Sequence, residues 1–341
     1  MSPNERWQYV LQPEDEGKKY YEILYHKFRF SRRLLQKLKI GEKVWVDGRF
    51  TFLSARGHAG ETLTVELFSP EEATIAATPL THELSGLRTA AKDSLSQEHY
   101  ILNITGMETL ESVTMVNPVA TVLGLNILYE DDYILGVSKR AGQVVHPTPR
   151  YPEGTLGNDV SAYWESQGQP RPFRPVHRID RNTSGVVIIA KNIFAHQQLA
   201  RQLESGLIHK RYLGFVSGVV GPNTGFIDQP IGLEAGSFIK RKVRPDGLPA
   251  LTEYNVLRRF RNVTLLEFIL HTGRTHQIRA HCQALGHPLL GDDLYGGYTS
   301  LIERQALHAL EYSFLHPAYG RKIRVRAPLT PDLRLLIRKL V

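Results

Sequence analysis

Hydrophobic and polar positions alternate, cluster or repeat in ways that divide the chain into elements. Val186, Val187, Ile188, Ile189 and Ala190 form a continuous, mostly β-branched run, the pattern of a strand covered on both faces. Asn182, Thr183, Ser184 and Gly185 ahead of it supply turn chemistry. Upstream, Ser31 is placed to cap a short helix through Leu38, with Leu34, Leu35 and Leu38 as its apolar stripe and Gly41 beyond its end. Val44, Trp45 and Val46 read as a strand, Asp47-Gly48 as a hairpin turn, and residues 61–68 as a second strand. Before residue 19 there is no clear period despite Trp7, Tyr9 and Val10, which suggests an arm.

Between residues 69 and 124 the signal weakens to short candidate segments at 83–91 and 100–104. Strands are expected at 127–129 and 133–138, followed by a turn at Gly142 and a strand into His146-Pro147; a helix is expected at 155–164. Downstream, a helix over 193–204 carries Leu199 and Leu203, and a strand covers 210–216 with Tyr212 on the face opposite Leu213 and Phe215. Two long alternating strands cover 252–260 and 263–270. Thr275 can cap a helix to Leu285 with Ile278, Cys282 and Leu285 buried; residues 306–312 read as a helix-like piece and 321–327 as a strand. Thr330-Pro331 starts a terminal helix.

Composition narrows the classes. With 341 residues and 42% hydrophobic content, the chain suits one large domain plus a small one. A formal net charge of +8 favours a polyanionic partner. The single cysteine, Cys282, excludes an intramolecular disulfide and a cysteine-rich zinc site, and it fits a reducing compartment. No leader-like or membrane-spanning run is evident, so a cytoplasmic protein is expected. The histidines lack HExxH spacing, and neither GxxxxGK[ST] nor a strand-linked GxGxxG occurs, so no metal and no cofactor are expected.

The candidate chemistry centres on His177, Arg178, Ile179, Asp180 and the TSG at 183–185. HRIDxxTSG resembles the signature of the RluA-type RNA pseudouridine synthases, with Ile179 where leucine is commoner. K-x-Y at Lys210 to Tyr212 resembles that family's second motif, and GRTHQIRxH followed by GHPLLGDxxYGG, from Gly273 to Gly297, its third. Ser138 to Gly142 stand where members usually have NKPAG, at some cost in turn rigidity.

This resemblance implies an α+β fold: a pseudouridine synthase fold with a largely antiparallel mixed central sheet flanked by helices, over residues 125–341. A small N-terminal α/β domain over 19–70 resembles the S-four RNA-binding domain, with Arg32, Arg33 and Lys37 on its basic helix. Residues 1–18 would be an arm and 71–124 a linker or insertion. Asp180 is implied as the catalytic nucleophile, Tyr212 as the ring beside the target uracil, and Arg279 as the partner of Asp180. Because a nucleophilic carboxylate must be ionised, a neighbouring guanidinium favours the reactive form. Arg178 would fill the stack or hold the backbone when the base is flipped out; His177, Thr183, Arg274 and His276 would support the RNA. The implied protein is a cofactor-free monomeric isomerase acting on RNA, ribosomal RNA before transfer RNA.

Two other readings compete. Ser184 with His177 and Asp180 contains the residue types of a hydrolase, but all three fall within eight residues and there is no GxSxG elbow. A non-catalytic RNA-binding module would use the same basic surfaces, but would have no need of Asp180, Tyr212 and Arg279.

Overall fold

A computed structural model of the chain describes residues 6–67, 120–122 and 124–341. The expected segments at 83–91 and 100–104, and the linker as far as residue 119, lie outside the described residues.

The N-terminal unit runs β1 (Arg6–Val10), α1 (Tyr20–Glu22) with a π-helical turn (Ile23–Lys27), α2 (Arg32–Ile40), β2 (Val44–Val46), β3 (Arg49–Phe50) and β4 (Thr62–Glu66). Its sheet has the order β1-β4-β2-β3, with every pair antiparallel. Ser31 caps α2 as expected, its Oγ accepting the Leu34 N–H at 3.1 Å, and Leu34, Leu35 and Leu38 are buried. Asp47 and Gly48 both take positive φ, 47° and 79°, as a tight hairpin turn requires. The expected arm is corrected: from Arg6 the chain is an edge strand, with Trp7 paired to Val65 and packed 4.6 Å from Phe28. Five residues are too few to show a period, and burial of the Trp7 ring decides the strand.

The second unit comprises β5 (Ala120–Val122), β6 (Leu125–Glu130), β7 (Ile134–Lys139), α3 (Leu156–Ser166), β8 (Ser184–Ala190), α4 (Ile193–Glu204), β9 (His209–Ser217) and β10 (Thr224–Asp228). It continues with β11 (Ile231–Leu233), β12 (Arg241–Val243), β13 (Leu251–Arg259), β14 (Val263–Leu270), α5 (Gln277–Ala284), β15 (Leu307–Leu315), β16 (Lys322–Arg326) and α6 (Pro331–Leu340). Its main sheet has the order β10-β13-β14-β9-β15-β8-β7-β6-β5, with β16 also on β15, and β11 and β12 form a separate hairpin. Among the pairings of the main sheet, β15 with β8 is parallel and the rest are antiparallel, which gives the mixed, largely antiparallel sheet expected. Every residue of β8 is buried, as its continuous apolar run requires.

The parallel contact explains the glycine of TSG. Gly185 has φ +114°, and a Cβ there would stand 2.1 Å from the Ala309 carbonyl oxygen. Only glycine lets β8 approach β15 so closely.

Three local expectations are corrected. Residues 307–315 are not helical but form β15, a central strand buried at every position except Leu315. Its Leu, Ala and Glu favour a helix in isolation, and pairing on both edges overrides that preference. The chain into His146-Pro147 is not a strand: the carbonyls of Val144 and Val145 accept the Leu156 and Gly157 N–H groups and so satisfy the start of α3. Thr275 does not cap α5, whose N-cap is His276 in the left-handed region at φ 57°; Leu285 is 37% exposed, outside the buried stripe.

The two units share a packed contact. Asn192 caps α4, its Oδ1 accepting the Ala195 N–H at 2.8 Å. This directs Phe194 into the N-terminal core, 5.0 Å from Phe30. Gln198 adds a 2.8 Å hydrogen bond to the Phe28 carbonyl.

Candidate active site

A cleft of about 450 Å³ opens beside the C-terminal part of β14 and the N-terminus of α5. Eight residues singled out in the sequence line it: Asp180, Tyr212, Arg279, His177, Arg178, Thr183, Arg274 and His276. Arg32, Arg33 and Lys37 are exposed on α2 of the N-terminal unit, away from this cleft.

Asp180 sits on the loop before β8, where a turn closes with the Thr183 N–H on the Asp180 carbonyl at 3.1 Å. Arg279, on the first turn of α5, reaches Asp180 Oδ2 with Nη1 at 3.3 Å. The rest of that guanidinium is fixed by Asp292: Nε and Nη2 each donate to one carboxylate oxygen at 2.8 Å. Asp292 is fully buried and Arg279 nearly so. Burial opposes the Arg279 charge, but the Asp292 hydrogen bonds and charge outweigh it and keep the guanidinium protonated. The Tyr295 ring lies 4.8 Å from the guanidinium carbon and closes its remaining side.

His276 places Nδ1 3.0 Å from the Tyr295 hydroxyl and Nε2 3.9 Å from Asp180 Oδ2. Burial lowers its pKa and so favours the neutral ring. The left-handed backbone at this non-glycine residue is held by Gln277, whose Oε1 accepts both the Arg274 N–H and the Thr272 hydroxyl. Arg274 donates through Nε to the Pro249 carbonyl at 2.9 Å, which ties it to the rim.

Across the cleft, Tyr212 on β9 shares a 2.5 Å hydroxyl hydrogen bond with Tyr312 on β15. Burial pushes the Tyr212 phenol well up, so its hydroxyl stays protonated. His177 stacks flat on Tyr312, with ring centroids 4.0 Å apart and planes 10° apart, and its Nε2 accepts the Ile188 N–H at 3.1 Å. Burial first, then Lys210, push the His177 imidazole down to about 3. Neutral and engaged in the wall, His177 buttresses Tyr312 rather than offering a cation to a ligand. Lys210, on the cleft-facing side of β9 with Tyr212, donates to the Thr272 carbonyl at 3.1 Å and is pushed down to about 8 by burial and Arg274.

The hydrolase arrangement is not assembled. Ser184 is fully buried and its hydroxyl lies 2.9 Å from His308 Nδ1, while His177 bonds to Ile188 instead. Among the described residues no group of three or more His, Cys, Asp or Glu side chains is arranged to hold a metal ion.

Several supports escaped the sequence reading. Asp292 and Tyr295 belong to the quoted GDDLYGG, and their spacing was the available signal. Lys139, in the SKRAG segment, is buried and donates to the carbonyls of Arg140, Gln143 and Arg181, tying the end of β7 to the Asp180 loop. Burial pushes this amine down to about 7. Arg304 donates to the Asn182 carbonyl and the Ser184 hydroxyl while paired with Asp332 at 2.7 Å. Nothing in the local sequence marks Arg304 or Tyr312.

Comparison with known proteins gives the family. The RNA pseudouridylate synthase family model matches residues 133–284. An uncharacterised RNA pseudouridine synthase of Bacillus subtilis, YjbO, is 36% identical over 75% of this chain and 89% of its own length. Ribosomal large subunit pseudouridine synthase D of Xanthomonas campestris is 41% identical over 62% of this chain and 68% of its own. In solved structures, human RNA pseudouridylate synthase domain containing 1 superposes with a TM-score of 0.52 at 26% identity, covering 66% of this chain and 89% of that one. With the signature loop, its arginine partner and the mixed sheet in place, the chain belongs to the RluA-type RNA pseudouridine synthases, isomerases that act on RNA.

Proposed function

We propose that this protein converts specific uridines of structured RNA, foremost large-subunit ribosomal RNA, to pseudouridine, with Asp180 as nucleophile and no cofactor. The observation that carries this reading is the 3.3 Å pair of Asp180 and Arg279 in a cleft that also holds Tyr212. The reaction breaks the bond from the uracil nitrogen to the ribose, turns the base and rejoins it through carbon five, so no electrons or phosphates are exchanged. A carboxylate held by a buried guanidinium is suited to such an attack. Tyr212 offers a ring to the flipped base and a protonated hydroxyl for proton movement at carbon five. Exposed Arg178 is suited to the vacated stack or the phosphate backbone, a flipped base costing a few kcal/mol of unstacking. Arg274 holds the rim, His276 lies beside Asp180, Thr183 closes the turn of its loop, and His177 acts through Tyr312.

The ribosomal target is supported by relatives named ribosomal large subunit pseudouridine synthase D, at 41% and 37% identity. We assign residues 19–70 to an S-four-like RNA-binding domain, whose sheet β1 (Arg6–Val10) also joins, with Arg32, Arg33 and Lys37 contacting phosphates from α2.

The test is Asp180→Asn, assayed by tritium release from carbon-five-labelled large-subunit ribosomal RNA and by RNA retention on filters. Turnover should vanish while the dissociation constant stays close to that of the parent. Residual turnover at the parental rate would remove Asp180 from the chemistry.

A further inference from the structure

The β11–β12 hairpin is rooted by Ile231 and Val243, which pack with Ala280 and Tyr295, and it ends in an exposed apolar tip. Phe238 is 97% exposed and Ile239, beside it, 62% exposed. The tip is built rather than loose: Gly236 takes φ +75°, and the Ser237 hydroxyl accepts the Ile239 and Lys240 N–H groups at 3.3 and 2.9 Å. Its root is fastened to the catalytic centre, because the Arg241 N–H donates at 2.9 Å to the Tyr295 hydroxyl, which also meets His276. Behind the tip come Lys240, Arg241, Lys242 and Arg244. Lys240 is paired with Glu234 and Arg244 with Asp246, while Lys242 is exposed and Arg241 Nε is buried with no acceptor among the described residues.

An exposed aromatic–aliphatic pair, set on a hydrogen-bonded turn ahead of a cationic stretch and anchored one hydrogen bond from Tyr295, matches the chemistry of a stacked polyanion: flat apolar bases inside, phosphates outside. We propose that Phe238 and Ile239 form a wedge that inserts into the base stack of the substrate RNA beside the target uridine, with Lys242 and Arg241 neutralising the flanking phosphates. The proposal rests on the reading that RNA occupies the Asp180 cleft. It assigns the hairpin the work of opening the helix, which leaves Arg178 to act at the flipped nucleotide itself.

The test compares the full-length parent with F238A/I239A, both exposed positions outside the catalytic machinery, on an unmodified large-subunit ribosomal RNA transcript. Folded transcript and the same transcript cut into short single-stranded fragments are assayed by tritium release, and binding to the folded form by filter retention. The variant should bind folded RNA about tenfold more weakly, as expected on losing one aromatic–base stack. It should lose turnover by a similar factor on folded RNA and keep parental turnover on the fragments. An unchanged dissociation constant for folded RNA, or equal losses on folded RNA and fragments, overturns the wedge. Absence of turnover by the parent would instead sink the proposed substrate, and the binding comparison would still judge the wedge.

Discussion

Arg279 and Asp292 form a two-point clamp, with Nε and Nη2 each 2.8 Å from a carboxylate oxygen, and this clamp presents Nη1 to Asp180. A guanidinium has a fixed fork, so occupying one edge decides where the other points. Asp292→Ala should therefore act at the active site without touching RNA. Removing one partner of a buried pair costs about 3–5 kcal/mol of stability, and misplacing the Asp180 partner should lower turnover about a hundredfold. Urea denaturation and single-turnover assays measure the two effects. Parental turnover in a destabilised variant would limit Asp292 to a structural part.

The hydroxyls of Tyr212 and Tyr312 meet at 2.5 Å in the same cleft. Tyr212→Phe keeps the ring and loses the phenol, so turnover should fall about a hundredfold if proton movement passes through it, with RNA binding retained. Tyr312→Phe removes only the partner, and should cost about 1 kcal/mol of stability with a smaller loss of turnover. Equal, parental rates in both variants would exclude a part for the phenols.

Gly185 lies where a Cβ would collide with the Ala309 backbone, 2.1 Å from its carbonyl oxygen. Gly185→Ala should destabilise the protein by about 3–5 kcal/mol, since neither strand can yield without breaking the sheet. Denaturant midpoints provide the measurement, and a loss below about 1 kcal/mol would show that β8 and β15 separate easily.

His177 is held neutral by burial, its pKa pushed down to about 3. Its unfolded counterpart takes up a proton near pH 6.5, so between about 6.5 and 3 the unfolded chain binds more protons than the folded one. Stability must then fall as pH falls through that window, by at most about 1.4 kcal/mol per pH unit from this group. His177→Gln, which keeps an acceptor for the Ile188 N–H, should be less stable at neutral pH but lose stability less steeply on acidification. Parallel pH slopes for parent and variant would contradict the assignment.

Chelators should leave turnover unchanged when the RNA is kept folded in monovalent salt, as the proposed cofactor-free chemistry requires. Activity restored only by an added divalent ion would overturn that reading.

What the chain declares on its own is whatever is settled within a few residues. The Ser31 cap, the Asp47-Gly48 turn and the fully apolar β8 were legible because each rests on short-range hydrogen bonding or on a continuous burial pattern. The motif residues Asp180, Tyr212 and Arg279 were legible through resemblance, and the fold gathers them into one cleft. Only the tertiary structure made Trp7 an edge-strand anchor and 307–315 a central strand, because pairing partners distant in the chain outweigh local preference. The same holds for Asp292 behind Arg279, Tyr312 behind Tyr212 and Arg304 under the Asp180 loop. Local motifs name the proposed reactive groups; the buried, hydrogen-bonded surroundings that aim them exist only once distant segments are packed together.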